Sequence, residues 1–192
     1  KKNPRRMIKS PDGQAILTTY WQSLYSRKTV PAAASPSPIQ FFTGYTSPIA
    51  MDTNQPTNTL NDPNVQYVYG LTMFLQQGMA QADIENFLNS CYIEFKLSGK
   101  VQWGGQANEL PAAGGLTGFA AYSAAGGPTF EAQNGSTLPG VMYPLTVEGR
   151  PIFIRSQQLF EVIATFSNAV AFTAAFEMTL KLQGVSGQAI VG

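Results

Sequence analysis

Phe172-Thr173-Ala174-Ala175-Phe176-Glu177-Met178-Thr179-Leu180-Lys181-Leu182 decides the fold class. Phe172, Ala174, Phe176, Met178, Leu180 and Leu182 point one way, while Thr173, Glu177, Thr179 and Lys181 point the other. Successive side chains leave opposite faces of an extended backbone, so this spacing of two describes a long half-buried strand. Just upstream, Phe160, Val162, Ala164 and Phe166 alternate with Glu161, Ile163 and Thr165. Both apolar sets are expected to meet in one core.

The same period runs back through the chain. Val141–Val147 and Pro151–Arg155 pair across Glu148-Gly149-Arg150. Cys91, Ile93, Phe95 and Leu97 alternate with Tyr92, Glu94 and Lys96, and Ser98-Gly99 turns that strand into Lys100–Trp103 as a hairpin. Val65, Tyr67, Tyr69, Leu71, Met73 and Leu75 share one face of a long strand, with Val68 and Phe74 on the other. Gln40-Phe41-Phe42-Thr43 starts a further β segment, and Ala82–Ser90 reads as a brief helix. Residues 104–140 hold nine glycines and only Glu109 and Glu131 as charges, the composition of a long surface loop with a strand or two inside it. About eight strands separated by turns make an all-β, antiparallel sandwich, and with strands this long a single jelly roll is the expected form.

Composition agrees and narrows the chemistry. The 192 residues include 18 Gly, 13 Pro, one Cys and no His, and 12% are charged. That charge content is about half the usual share of roughly 25%. The length supports one generous domain whose core needs no disulfide or metal. Without histidine there is no Ser-His-Asp triad, Cys-His pair or His-ligated metal. The single Cys91 excludes an internal disulfide and reads as a small buried hydrophobe. Paired carboxylates remain, as in a jelly-roll glycosidase, but Glu94, Glu161 and Glu177 sit at outward strand positions with no aromatic series beside them. Asp52-Thr53-Asn54 and Asp62-Pro63-Asn64 are turn sequences that complete no calcium loop. Gly114-Gly115-Leu116-Thr117-Gly118 lacks the lysine and spacing of a phosphate loop. Asn134-Gly135-Ser136 is a glycosylation acceptor only in a eukaryotic secretory setting. The expectation is no enzyme and no cofactor.

Charge is unevenly placed. Residues 1–28 carry Lys1, Lys2, Arg5, Arg6, Lys9, Arg27 and Lys28 against Asp12, whereas the remainder holds five bases and ten acids. A basic arm on a mildly acidic body meets phosphates or lipid headgroups, or else is a solvated tail. Ser10-Pro11-Asp12-Gly13-Gln14 follows the first basic residues where a secretory leader would carry its apolar region. Asp12 stands as an N-cap, and Ile16, Leu17, Tyr20, Trp21, Leu24 and Tyr25 recur at helical spacing, which predicts a short amphipathic helix ending at Arg27-Lys28. Its stripe is half aromatic and suits either a membrane interface or docking on protein. Pro31-Ala32-Ala33-Ala34-Ser35-Pro36-Ser37-Pro38 reads as an extended linker. The expected division is a basic arm at 1–38 and a sandwich domain at 39–192. Lys1, Lys2, Arg5, Arg6, Lys9, Tyr20, Trp21 and Tyr25 are the expected membrane or nucleic-acid contacts.

Ile39-Gln40-Phe41-Phe42-Thr43-Gly44-Tyr45, the Leu110-Pro111-Ala112-Ala113-Gly114-Gly115-Leu116 loop, Phe160-Glu161-Val162-Ile163-Ala164 and Met178-Thr179-Leu180-Lys181-Leu182-Gln183-Gly184-Val185 complete the pattern. With its basic arm, the whole resembles the jelly-roll capsid proteins of tailless icosahedral bacteriophages, especially those with an internal membrane. The resemblance implies a structural virion protein, made in the host cytoplasm, that self-assembles into homo-oligomeric capsomers beside other virion proteins. It implies no catalysis, and an arm turned inward to the genome or an inner membrane lipid. The competing expectation is a surface appendage subunit or carbohydrate-binding β-sandwich, for which Trp103 with Tyr122 or Tyr143 is the aromatic candidate.

Overall fold

The computed structural model describes residues 8–9, 15–45, 50–76, 79–113, 116–124, 127–134, 142–147, 149–168 and 170–189. In chain order the elements are β1 (Ile8–Lys9), β2 (Ala15–Trp21), β3 (Leu24–Val30), β4 (Ile39–Gln40) and β5 (Asn64–Leu75). Then come α1 (Gln81–Ser90), β6 (Cys91–Leu97), β7 (Lys100–Gln106) and a 3-10 helix (Ala107–Ala113). The remainder are β8 (Leu116–Ala124), β9 (Gly127–Asn134), β10 (Tyr143–Pro144), β11 (Thr146–Val147), β12 (Arg150–Ile154), β13 (Phe160–Phe166) and β14 (Phe176–Ala189).

The alternation that decided the fold class builds β14, the organising strand. Met178, Leu180 and Leu182 are fully buried between the sheets, while Glu177, Thr179 and Lys181 face outward. β14 pairs with β5 along one side and with both β2 and β3 along the other. This eight-stranded sheet runs β1-β2-β14-β5-β12-β11, with β10 also paired to β5. A second sheet runs β4-β13-β6-β7, and every pairing in both sheets is antiparallel. The inward residues of both sheets form one hydrophobic cluster, so the architecture is an all-β sandwich. β8 and β9 form a separate hairpin within the glycine-rich segment.

One end of the core is a closed ring of aromatics. Phe87 of α1 contacts Phe166 of β13 and Phe176 of β14, and Phe172 contacts the same two rings. Phe160, Val162, Ala164 and Phe166 thus share the core with Phe172, Phe176, Met178 and Leu180, as the alternation predicts. Asp83 of α1, buried to 2% exposure, accepts hydrogen bonds from the Thr173 amide at 2.9 Å and hydroxyl at 2.6 Å. That anchor ties the stretch before β14 to the helix. Ala174 is therefore exposed and the strand begins at Phe176, later than the periodic pattern implies.

The expected amphipathic helix is not formed. Ala15–Trp21 and Leu24–Val30 are strands laid end to end along β14, with Trp21 opposite Val185 and Leu24 opposite Leu182. The cause is energetic. β14 offers an open row of backbone donors and acceptors, and Ile16, Thr18, Thr19, Tyr20 and Trp21 are strand formers that gain a full ladder there. A helix this short is marginal without such support. The Pro-rich stretch 31–38 likewise lies against the body and is not a free spacer. Ala34 bridges to Ala171, the Ser35 amide donates to the Val170 carbonyl at 2.7 Å, and Pro36 is buried.

β5 departs from expectation in a second way. Gln183 pairs with Gly70 but Gly184 pairs with Val68, so Tyr69 is an extra residue bulged out of the ladder. A one-residue insertion exchanges faces. Leu71, Met73 and Leu75 enter the core with Val68, whereas Val65 and Tyr67 pack on the outside against Phe153. Gly184 sits at the crossing, where a Cβ would run into the Tyr67 carbonyl and approach Gln66 Nε2 at 2.7 Å. The segment at 40–43 is also shorter than read. Phe42 has φ +59° and ends β4 after Gln40, which turns both Phe41 and Phe42 into the core.

Candidate interaction surfaces

The outer edge of β3 is covered by its own chain. The Arg27 amide donates to the Asp52 carbonyl at 2.7 Å, Ser26 bridges to Thr53, and Asn54 accepts from the Tyr25 amide at 2.9 Å. Arg27 also pairs with Asp52 at 2.7 Å and with Glu177 at 3.1 Å. The hydrogen bond that Arg27 donates to the Asp52 carboxylate raises its already high pKa further, against the opposing cost of burial. Next to it, Lys28 donates to the Thr43 carbonyl and lies 3.7 Å over the Tyr45 ring. Burial lowers the Lys28 pKa and raises that of Tyr45, whose hydroxyl donates to the Arg27 carbonyl at 2.8 Å. Arg27 and Lys28, read from sequence as the charged end of a helix, instead fasten Thr43, Tyr45 and Asp52 beside an otherwise open strand edge. Asp52-Thr53-Asn54 serves the same purpose.

The outward face of the larger sheet is aromatic. Trp21 stacks on Tyr69 with ring centroids 6.0 Å apart, and Tyr67 meets Phe153 at 4.8 Å. Trp21 is 64% exposed. The smaller sheet shows water a polar face: Glu94 pairs with Lys96 at 2.9 Å, and Glu161 accepts from Gln40 at 2.8 Å. Together with the Glu177–Arg27 pair, these contacts leave Glu94, Glu161 and Glu177 on separate outward positions, not facing each other across a groove. Among the described residues no three of His, Cys, Asp and Glu gather where they could hold a metal ion. Cys91 is buried, and desolvation pushes its thiol up to about 12, far from a reactive thiolate.

The expected contact residues fall in three places. Lys1, Lys2, Arg5 and Arg6 lie outside the described residues, and Lys9 lies in β1, paired with Ala15. Tyr20 and Trp21 are strand neighbours on opposite faces of the sheet, opposite Ser186 and Val185. Tyr25 donates its hydroxyl to the Ala50 carbonyl. These three aromatics therefore form no single stripe. Of the alternative pair, Trp103 and Tyr143 do meet, at 5.1 Å, but both are half-buried against the core, while Tyr122 lies in β8. No known protein family, curated protein or solved structure matches the chain. Sequence reasoning missed the aromatic outer face because it depends on the bulge. Gly70 beside Tyr69 and Gly184 across from it were the available signal, since glycine inside a strand marks a bulge or close backbone approach.

Proposed function

We propose that the protein is a single jelly-roll shell subunit, of the kind that builds the icosahedral capsid of a tailless bacteriophage. The nesting of its strands carries the reading. β3 pairs with β14, β4 with β13, β5 with β12 and β6 with β7. With β1, β2 and β8 to β11 set aside as additions, the first of these strands joins the last, the second joins the second-last, and the innermost pair closes at Ser98-Gly99, where φ is +48° and +77°. Rolling one long hairpin into a sandwich would produce such a nesting, and this is what supports a jelly roll within the sandwich. Jelly rolls serve in viral shells and in lectins, and fold alone does not choose between them. The low charge and the aromatic outer face, which water serves poorly, favour a surface completed by neighbouring copies.

In this reading the basic residues before β1 lie toward an anionic interior, genome or lipid, and the segment between β7 and β10 contributes to subunit contacts. Size-exclusion chromatography with light scattering, followed by negative-stain imaging, tests the proposal. Discrete capsomers or closed particles are expected. A monomer at every concentration, with no particles under the microscope, refutes it.

A further inference from the structure

We infer that the larger sheet carries a binding site for a neutral saccharide where its inner face extends past the smaller sheet. A cavity of about 230 Å³ opens there, lined by Tyr20 of β2, by Gln22 between β2 and β3, by Leu60 and Asn61, and by Asn64 and Gln66 of β5. Among the described residues, no Asp, Glu, Lys or Arg faces it. Asp62, the nearest acid in sequence, accepts from the Ser156 hydroxyl at 2.7 Å instead. An ionic ligand therefore finds no counter-charge.

The walls are fixed in advance. Gln66 is 1% exposed, donates to the Gln22 carbonyl at 2.9 Å, and accepts from Ser186 at 2.5 Å. Asn54 is held between the Tyr25 amide at 2.9 Å and the Ser23 carbonyl at 2.7 Å. The rim is different. Among the described residues, the side chains of Asn61 and Asn64 and the Tyr20 hydroxyl have no hydrogen-bond partner. Each carboxamide offers a donor and an acceptor side by side, which matches the vicinal hydroxyls of a sugar. Tyr20, 48% exposed, lines the cavity with an aromatic ring of the kind that meets the C–H side of a pyranose, and buried Leu60 adds an apolar patch. Uncharged paired donors and acceptors, one aromatic face and room for a single ring together specify a neutral polyol. Tyr20 lies on the opposite face of the sheet from the Trp21–Tyr69 stack.

The test is saturation-transfer NMR on the full chain with the methyl glycosides of glucose, galactose, mannose and N-acetylglucosamine at millimolar concentration, and inorganic phosphate as the charged comparison. At least one glycoside is expected to bind, and phosphate is not. Asn61→Ala and Tyr20→Ala, both at exposed positions, should weaken binding by about fivefold or more, the worth of one hydrogen bond or ring contact. Tyr92→Ala, exposed on the other sheet, should leave binding unchanged. Silence from all four glycosides, phosphate binding in their place, or equal affinity in the two rim variants overturns the inference. Circular dichroism of each variant separates lost binding from lost fold.

Discussion

Replacing Phe176 with alanine probes the aromatic ring that joins the helix to both sheets. Phe176 is 2% exposed, and its ring meets Phe87 at 5.8 Å and Phe172 at 5.1 Å, both edge to face. Truncating a buried phenylalanine costs about 3–5 kcal/mol through lost transfer energy and the cavity left behind. Edge-to-face pairs are worth about 0.5–1.5 kcal/mol beyond burial, so the expected loss lies near the upper end of that range. The surroundings also resist collapse. Phe87 is anchored by a helix, and Phe166 by the full β13–β6 ladder. Urea unfolding followed by tryptophan fluorescence measures the effect, with Leu159→Ala, 38% exposed, as the comparison expected to lose little. A Phe87/Phe176 double-mutant cycle should return about 1 kcal/mol of coupling. If Phe176→Ala loses less than about 1 kcal/mol, or the cycle shows no coupling, the ring is not the joint described.

Three more outcomes are expected. Asp83→Ala removes the acceptor for both Thr173 groups and should cost about 1–3 kcal/mol, with faster amide exchange at Thr173 than in the parent. Gly184→Ala forces a methyl onto the Tyr67 carbonyl and should lose at least the about 1–3 kcal/mol of an overpacked site, read as a lower urea midpoint. Cys91 gives a pH dependence: its folded thiol titrates at about 12 against 9.0 when exposed, so the unfolded chain loses its proton first. The stability this contributes is complete below pH 9 and drains away up to about pH 12, at about 1.4 kcal/mol per pH unit. Cys91→Ala should show a shallower alkaline slope by that amount in parallel denaturation series, and equal slopes would contradict it.

Much of the sandwich is legible where one face is dry and the other wet. β6, β13 and the front half of β14 alternate because each lies in a sheet with core on one side and solvent on the other, and α1 shows in its composition. Legibility fails where a strand has demands on both faces. Ile16, Leu17, Tyr20 and Trp21 come as apolar pairs, which fit helical spacing as well as a strand with apolar residues on both faces; the β-branched run was the better guide. At Tyr69 the bulge exchanges faces in mid-strand, so no single period describes β5. Ala174 fits the period yet lies outside the strand, because a carboxylate ninety residues away in the chain holds Thr173. The saccharide rim was invisible for a related reason: Tyr20 lies some forty residues before the turn that carries Asn61 and Asn64, and only folding brings them to one cavity.

The position of β14 at the centre of its sheet has a consequence for biosynthesis. β2, β3 and β5 all pair with a strand that begins at Phe176, so none of their shared ladders can close until that strand has left the ribosome. Earlier segments can form the smaller sheet, the β1–β2 and β8–β9 pairs, and the β10, β11 and β12 side of β5. Ladders between residues near the two ends of a chain close slowly, because loop entropy is spent before any contact repays it. Every partly made chain therefore displays the open flank of β5, with its backbone groups unpaired. Truncated products lack the strand that seals the sheet, so they keep that flank open to any extended segment that can pair with it.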